Sequence, residues 1–291
     1  MTAPRESTFN ISATICGKGD SVLVLTHGII ESKLYWQPNF PGSEKYNFVE
    51  AAVASGYSVI SYDRIGVGSS STVDSLKDAQ FQVETAVLNS LVAYARKNLR
   101  ARKVGLVGHS YGSYLTTASA SQTSVDAVVL TGFSGVFDYF APFIAGAGLR
   151  VANTHDQYRW GRLDSGYLTT SDSYATTYVY FAEPYFERRV AEWAYRVEGE
   201  PFAVGELPSL LKTKIQYDNV TAPVFIMQGQ FDLSACGGNC VGVLNGTKSL
   251  FINAKTLQLV DDLPAGHNLN FHHGAPHAFQ LIFDFLKQQR V

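Results

Sequence analysis

The sequence has few charged residues, and its charges are balanced. Lys and Arg number 23 and Asp and Glu 25, so the formal net charge is −2, and charged residues make up 16% of the chain, against about 25% in an average domain. Without a basic surplus, the chain lacks the positive surface that nucleic acid requires. With 46% hydrophobic residues, it also lacks the composition of a disordered protein. We therefore expect a soluble globular protein that does not bind nucleic acid.

Long apolar runs are lacking as well. No stretch approaches the roughly 18 residues that a membrane-spanning helix needs, so we expect no stable insertion into a membrane. Residues 1–6 are polar and lack the apolar core of a signal peptide. Taken literally, this start predicts a cytoplasmic protein.

Cysteine is scarce, with three residues in the chain. Cys236 and Cys240 flank a Gly-Gly-Asn loop that could bring them together as a disulfide, which would belong to an oxidising compartment; two free thiols are the alternative. Asn-x-Ser/Thr sequons at Asn10, Asn219 and Asn245 are a weak sign in the same direction. Because no second Cys or His pair stands at ligand spacing, we expect no metal site. No glycine-rich turn matches a phosphate-binding loop, so we expect no cofactor.

Short apolar runs alternate with helical patterns along the chain. Six runs rich in Val, Leu and Ile predict buried strands at residues 22–26, 57–62, 104–107, 127–130, 224–228 and 257–260. Their nearly continuous hydrophobicity is typical of parallel strands that helices cover on both faces. Helices are predicted over 81–98, from Ser110 onwards and over about 276–288. The first carries an apolar stripe of residues four apart, namely Val83, Val87, Leu91 and Ala95. The alternation predicts an α/β fold with a mostly parallel central sheet flanked by helices.

One segment interrupts this alternation. Residues 134–215 show no strong strand signal, and 16 of these 82 residues are aromatic, against 21 of the other 209. We interpret the segment as a helical, aromatic-rich cap inserted before the penultimate strand. Residues 1–133 and 216–291 then form the core domain. An ordinary run of surface helices is the alternative.

The strongest motif is Gly108-His-Ser110-Tyr-Gly112, which directly follows a predicted strand and opens a predicted helix. This is the pattern of a nucleophile elbow, in which a tight turn projects the serine hydroxyl above the sheet. Gly108 and Gly112 are needed because side chains there would collide with the neighbouring strand and helix. The helix N-terminus offers free N–H groups to a developing oxyanion. The motif predicts that Ser110 is a catalytic nucleophile.

With this motif the chain resembles the α/β-hydrolase family, whose triad runs in the order Ser, Asp or Glu, His. The resemblance implies that Asp232, after the strand at 224–228, is the acid and that His267, after the last strand, is the base. His267 would take the Ser110 proton and later return it, while Asp232 would hold the imidazole. Asp138 is the rival acid. The rival bases are His272, His273 and His277.

The resemblance also implies an oxyanion hole built from two backbone N–H groups. One belongs to Tyr111, and the other is expected at Ile29, just past His27-Gly28. Only one glycine follows His27, so the loop has the simpler His-Gly-x form, which argues against bulky tertiary-alcohol esters. Asp63, in a turn after a strand, is expected to hold a loop rather than to act in catalysis.

The aromatic residues of the cap are candidates for a substrate pocket, because aromatic side chains suit hydrophobic or ring-bearing compounds. About half of them should simply form the cap's own core. The candidates are Trp36, Tyr139, Phe140, Phe143, Trp160, Tyr178, Phe181, Tyr185 and Trp193.

A narrower resemblance, to a group of often secreted fungal α/β-hydrolases, is carried by residues 11–16, 25–28, 61–66, 130–134 and 236–240. It implies a secreted or secretory-pathway protein. We expect a serine hydrolase that cleaves a hydrophobic carboxylic ester or lactone through an acyl-enzyme on Ser110. The alternatives are acyl transfer or cyclisation in fungal secondary metabolism, a prolyl-type peptidase, or a non-catalytic binding protein. Epoxide hydrolase and dehalogenase chemistry is disfavoured because both use a carboxylate in place of Ser110. The oligomeric state is not indicated.

Overall fold

A seven-stranded sheet lies at the centre of the protein in the computed structural model, which describes residues 7–291. The polar start at residues 1–6 lies outside the described residues. Seven strands belong to this sheet and three to a smaller one. In chain order the strands are β1 (Ala13–Cys16), β2 (Ser21–Thr26), β3 (Ser58–Tyr62), β4 (Lys103–His109), β5 (Ala127–Thr131), β6 (Arg150–Val151), β7 (Tyr167–Thr169), β8 (Phe202–Ala203), β9 (Val224–Gly229) and β10 (Leu257–Leu263). The sheet order is β1-β3-β2-β4-β5-β9-β10, and every pairing except that of β1 with β3 is parallel.

Helices flank this sheet, as the sequence predicted, and further helices lie between β5 and β9. They are α1 (Phe48–Ala54), α2 (Phe81–Lys97), α3 (Tyr111–Ala120), α4 (Phe140–Ala147), α5 (Ala152–His155), α6 (Gln157–Trp160), α7 (Ser173–Tyr180), α8 (Arg188–Trp193), α9 (Glu206–Lys212), α10 (Leu233–Cys236) and α11 (Ala275–Gln288). Strands β3, β5 and β9 are buried along their whole length, which explains their continuous apolar sequences. The predicted α/β-hydrolase fold class is therefore confirmed.

The strand at the edge of the sheet, β1, was not predicted. Its residues alternate between exposed and half-buried positions, and such a short, mixed segment gives little hydrophobic signal. The predicted strand at 257–260 extends to Leu263, with a register shift after Val260. Neither difference affects the position of the predicted catalytic residues.

The buried face of helix α2 is displaced from the predicted stripe. Ala95 of that stripe is buried, but Val83, Val87 and Leu91 are half-buried, and Leu88 and Val92 are buried instead. Glu84 also lies on the buried face, although a glutamate in a helix normally indicates a solvent-facing position. The partners of Glu84 are described with the active site.

The segment between β5 and β9 contains short helices, as expected, and also a small antiparallel sheet. Strands β6, β7 and β8 form this second sheet in that order, so the prediction of a purely helical segment missed three strands of two or three residues. A separate apolar cluster that includes Trp160, Leu163 and Tyr167 packs beside them. Within residues 7–291, no helix is both long and apolar enough to cross a membrane.

Candidate active site

Ser110 lies at the tight turn between β4 and α3, in a backbone conformation that residues other than glycine rarely adopt. Its φ is 55° and its ψ is −124°, a region that costs a non-glycine residue roughly 1–3 kcal/mol. A Cβ at Gly108 would lie 2.6 Å from the carbonyl oxygen of Gly112, and one at Gly112 would lie 2.6 Å from the carbonyl oxygen of His27. The two glycines therefore permit the close packing of strand, turn and helix that the sequence motif implied.

Three side chains from separate strand ends form one hydrogen-bonded chain. His267 Nε2 lies 2.8 Å from Ser110 Oγ, and His267 Nδ1 lies 2.7 Å from Asp232 Oδ2. Asp232 Oδ1 accepts the backbone N–H of Ala235 at 2.8 Å and so caps α10. Since the carboxylate of Asp232 can only accept, Nδ1 of His267 carries the proton and Nε2 is free to accept from the Ser110 hydroxyl.

The electrostatic setting of His267 favours its protonated form. Burial alone would lower the pKa of the imidazole, but the charge of Asp232, the hydrogen bond to Asp232 and the charge of Glu31 outweigh it and raise the pKa above its ordinary value. Tyr180 stacks on the ring at 5.7 Å, and Phe143 approaches it at 6.1 Å. Both aromatic residues belong to the segment between β5 and β9, which thus shields His267 from water.

This shift predicts the pH dependence of the reaction. His267 must be neutral to accept a proton, so kcat/KM is expected to fall as the pH is lowered through a pKa above the ordinary value of 6.5. The check is a kcat/KM profile between pH 5 and 9, with circular dichroism at each pH as the control for unfolding. An acid limb below 6.5 would contradict the proposed environment of His267.

The rival acid and bases lie outside this chain of hydrogen bonds. Asp138, His273 and His277 are exposed. His272 is buried, and its Nε2 accepts the N–H groups of Gly266 and Ala182 at 2.9 and 3.1 Å. Desolvation lowers the pKa of His272 to about 4. A histidine held neutral between backbone groups supports the loop that carries His267.

The predicted oxyanion residues, Ile29 and Tyr111, line the same small cavity as Ser110. The carbonyl of Gly28 accepts from His27 Nδ1 at 2.9 Å and from Arg64 Nη2 at 3.2 Å. Because a trans peptide directs its N–H opposite to its C=O, these bonds turn the N–H of Ile29 away from Arg64. The N–H of Tyr111 is the first of α3 and has no intrahelical acceptor. Among residues 7–291, neither N–H has a hydrogen-bond partner, so both donors are available beside Ser110.

Behind the oxyanion loop lies a buried ion network that the sequence did not reveal. Arg64 Nη1 donates to Glu84 Oε1 at 2.5 Å and to Glu206 Oε2 at 2.7 Å. The hydroxyl of Tyr111 donates to Glu84 Oε2 at 2.7 Å, and the guanidinium lies 4.7 Å from the centre of the Tyr111 ring. Desolvation raises the pKa of Glu84 to about 8 and also raises the pKa of Glu206. Through the Gly28 carbonyl and the Tyr111 ring, Arg64 supports both halves of the predicted oxyanion hole.

Replacement of Arg64 by methionine is expected to lower the free energy of unfolding by about 3–5 kcal/mol, because it leaves buried carboxylates without a partner. Urea unfolding measures the change. The matched control is Arg102→Met, since the Arg102–Asp20 pair is 82% and 70% exposed and should contribute nothing measurable. Equal effects of the two replacements would show that the buried network does not stabilise the fold.

The cavity next to Ser110 is small and mostly apolar. Its volume is about 10 Å³, room for roughly one water molecule. It is lined by Ile29, Ser110, Tyr111, Phe140, Phe143, Ile144, Leu207 and Ser234. A larger groove of about 880 Å³ lies between the segment near Phe9 and α2 and contains no triad residue.

Of the aromatic candidates, the structure places Phe143 and Phe140 in this cavity and the others elsewhere. Trp36 is in the core against Tyr35 and Phe48. The other displaced candidates take part in packing or face solvent: Tyr139 against Gly237, Trp160 in the separate apolar cluster, Tyr178 63% exposed, Phe181 against Phe186, Tyr185 against Phe231, and Trp193 against Phe40. Aromatic composition could not separate lining from packing, and the aliphatic residues Ile144 and Leu207 gave no sequence signal.

Cys236 and Cys240 form a disulfide in the loop that follows Asp232, with their Cα atoms 4.9 Å apart. The N–H of Gly238 donates to the carbonyl of Asp232 at 2.9 Å. Gly237, at a φ of 67°, lies against the ring of Tyr139. The cross-linked loop therefore packs between Asp232, the predicted catalytic acid, and the start of α4.

Asp63 connects two loops, in keeping with the structural role expected from the sequence. Its Oδ1 accepts the N–H of Lys33 at 3.0 Å and its Oδ2 accepts that of Ser69 at 3.2 Å. Within the described part of the chain, no group of three or more His, Cys, Asp or Glu residues is arranged to hold a metal ion.

Comparison with known proteins gives one family match and several structural relatives. A family model described as the alpha/beta hydrolase family matches residues 23–279. Solved structures that resemble this chain include Est1E from Butyrivibrio proteoclasticus with ferulic acid bound (14% identity, TM-score 0.62, covering 96% of this chain and 95% of that one). Others are a carboxylesterase structure from Nitrososphaera gargenis (14%, 0.65, 97% and 96%) and a monoacylglycerol lipase from Paleococcus ferrophilus (13%, 0.65, 96% and 99%). No match was found among curated protein sequences. At these identities the structural likeness shows the fold alone.

Proposed function

The chain belongs to the alpha/beta hydrolase family, and on that premise we propose that it is a serine hydrolase that cleaves a carboxylic ester or lactone through an acyl-enzyme on Ser110. The observation that carries this proposal is the continuous chain of hydrogen bonds from Ser110 through His267 to Asp232. The free N–H groups on either side of Ser110 support it further. Esterases and a lipase among the structural relatives are in keeping with this chemistry.

The geometry defines a role for each group in acylation. As Ser110 Oγ bonds to the ester carbonyl carbon, its proton passes to His267 Nε2, and the carboxylate of Asp232 stabilises the resulting imidazolium. The carbonyl electron pair becomes an oxyanion held by the N–H groups of Ile29 and Tyr111. When the C–O bond to the leaving group breaks, the departing alcohol oxygen takes the proton from Nε2. Water then attacks the acyl-enzyme by the same proton path, which releases the acid and restores Ser110.

The cavity indicates a hydrophobic substrate. Phe140, Phe143 and Ile144 of α4 line the cavity beside Ser110 together with Leu207. The substrate group on one side of the cleaved bond would therefore contact apolar and aromatic side chains. Aromatic and apolar side chains favour contact with ring-bearing acyl groups, although these side chains must move apart to admit one, since the cavity holds about 10 Å³. Est1E, a relative in fold, is known with ferulic acid bound. We include ring-bearing esters in the proposed substrate class for this reason.

We also propose that the protein is made in the secretory pathway. Disulfides persist in oxidising compartments, and the Cys236–Cys240 bond packs against the backbone of the catalytic acid. An intact mass two hydrogens below that of the fully reduced chain, measured without reductant on protein recovered from secreting cells, would support this. Fully reduced cysteines in that sample would contradict it.

The test of the proposed function combines a mechanism-based label with a substrate panel. A fluorophosphonate should add once to the wild-type protein and not to Ser110→Ala, as read by intact mass. Aryl esters of acetate, butyrate, octanoate, benzoate and ferulate, followed by lactones, then define the acyl group. Labelling without turnover of any ester or lactone would contradict hydrolysis of this substrate class. The absence of an adduct on folded protein would contradict an activated serine.

A further inference from the structure

Glu31 is a buried carboxylate next to Ser110 that the reaction described above does not use. Its side chain is fully buried, as is that of His109. A Cβ at position 28 would lie 2.8 Å from both Glu31 Oε2 and Ser110 Cβ, so the carboxylate and the nucleophile approach each other at the face of Gly28 that carries no side chain. Burial of a carboxylate is costly unless its oxygens are hydrogen-bonded. Its contacts therefore indicate what it does.

The two oxygens of Glu31 face the two halves of the site. Oε2 accepts the N–H of Gly28, in the oxyanion loop, at 2.5 Å. Oε1 lies 3.3 Å from Nε2 of His109, the residue that precedes the nucleophile. Within residues 7–291, neither Oε1 nor this Nε2 has a hydrogen-bond partner, because the 3.3 Å approach between them falls outside hydrogen-bond geometry. Each is therefore the partner available to the other.

The Thr131 hydroxyl bears on where the proton of His109 lies. Nδ1 is 3.0 Å from this hydroxyl, which donates to the carbonyl of Gly108 at 3.2 Å. Because a hydroxyl has one proton, it donates to Nδ1 only when it turns from that carbonyl, and the ring proton then lies on Nε2, next to the Glu31 carboxylate. Desolvation and the charge of Glu31 raise the pKa of the neighbouring Glu198 well above its ordinary value.

We propose that Glu31 is a positioning residue, whose carboxylate ties Gly28 of the oxyanion loop to His109 of the nucleophile elbow and so sets the distance between the N–H groups of Ile29 and Tyr111. These two donors lie on different elements, the loop after β2 and the start of α3. Arg64 holds the loop through the Gly28 carbonyl, and Glu31 holds it through the Gly28 N–H. With both sides of Gly28 fixed, the next peptide has one orientation. This inference rests on the proposed function, because it assigns the residue a part in oxyanion binding.

Two replacements separate this role from simple packing. Glu31→Leu keeps a side chain of moderate size and removes both polar contacts. Glu31→Gln keeps an oxygen for the Gly28 N–H and offers an amide N–H to His109 Nε2, provided that the histidine moves its proton to Nδ1. The Thr131 hydroxyl can rotate toward the Gly108 carbonyl to accept that proton's hydrogen bond.

Kinetics on an aryl acetate are the first readout. Glu31→Leu should lower kcat by at least about 30-fold with KM changed by less than about threefold, because oxyanion contacts act mainly in the transition state. Glu31→Gln should recover at least tenfold of that loss. The matched control is Asp164→Leu, which removes an exposed carboxylate that joins Ser75 and Gly166 and should lower Tm without changing kcat. Equal kcat for the Leu and Gln variants, or a loss in KM alone, would overturn the proposal.

Nitrogen-15 NMR of histidine-labelled protein is the second readout and needs no substrate. We expect a protonated Nε2 at His109 in the wild type and a protonated Nδ1 in Glu31→Gln. An unchanged His109 signal would overturn the contact between Glu31 and His109. If the wild type cleaves no ester but shows this change of tautomer, the proposed function fails while the connection between loop and elbow stands.

Discussion

Replacement of Ser110 by alanine is expected to lower kcat for the best ester by roughly 10⁴–10⁶-fold. The variant keeps Asp232, His267 and both oxyanion donors but has no oxygen to form the acyl-enzyme. What activity is left would come from substrate binding and the oxyanion hole, which act without the nucleophile. The measurement is kcat on protein purified separately from the wild type, so that traces of wild-type enzyme do not account for the residual activity.

The fold of this variant should be intact. Alanine at position 110 keeps the φ of 55°, and the backbone bond from Ser110 N–H to the Thr131 carbonyl, at 2.8 Å, is retained. A Tm near that of the wild type is the control. Retention of more than about 1% of kcat would contradict the assignment of Ser110 as nucleophile.

The three residues of the hydrogen-bonded chain could be predicted because each occupies the same kind of place in the sequence. Ser110, Asp232 and His267 follow β4, β9 and β10 respectively, and parallel strands bring their carboxyl ends to one edge of the sheet. The strands themselves could be predicted from their continuous apolar runs. Sequence order and strand position were thus enough to select His267 over His272, five residues away.

The groups that support the triad could not be predicted in this way. Arg64 meets Glu84 and Glu206, which are 20 and 142 residues away in the chain, so no local spacing reports the contact. Glu84 leads to a wrong prediction of which face of α2 is buried, because a charged residue within a helix normally indicates the exposed face. Glu31 and His109 likewise meet only when two loops are packed together. Buried ionic partners depend on tertiary packing that periodicity does not encode.

The lining of the cavity illustrates a second limit. Aromatic residues are concentrated between residues 134 and 215, but most of them pack within that segment or against the core. The side chains of this segment that line the cavity next to Ser110 are Phe140, Phe143, Ile144 and Leu207, and half of these are aliphatic. Apolar character predicts burial, whereas it takes the fold to show which buried side chain faces the nucleophile.

Replacement of Asp232 by asparagine is expected to lower kcat by about 10⁴-fold while leaving the fold in place. The amide oxygen can still accept the N–H of Ala235 and cap α10, as Asp232 Oδ1 does. The amide NH₂ group then faces His267 Nδ1 and can only donate to it, so the imidazole proton moves to Nε2. In that tautomer His267 cannot accept the proton of Ser110.

The same replacement should shift the pH profile in a defined direction. The charge of Asp232 is among the causes that raise the pKa of His267, so its removal lowers that pKa, and the acid limb of the residual kcat/KM moves to lower pH. Asp138→Asn is the matched control, since Asp138 is exposed and should alter neither kcat nor the profile. A larger loss in the Asp138 variant than in the Asp232 variant would reverse the assignment of the catalytic acid. An unshifted acid limb in Asp232→Asn would show that another group controls the protonation of His267.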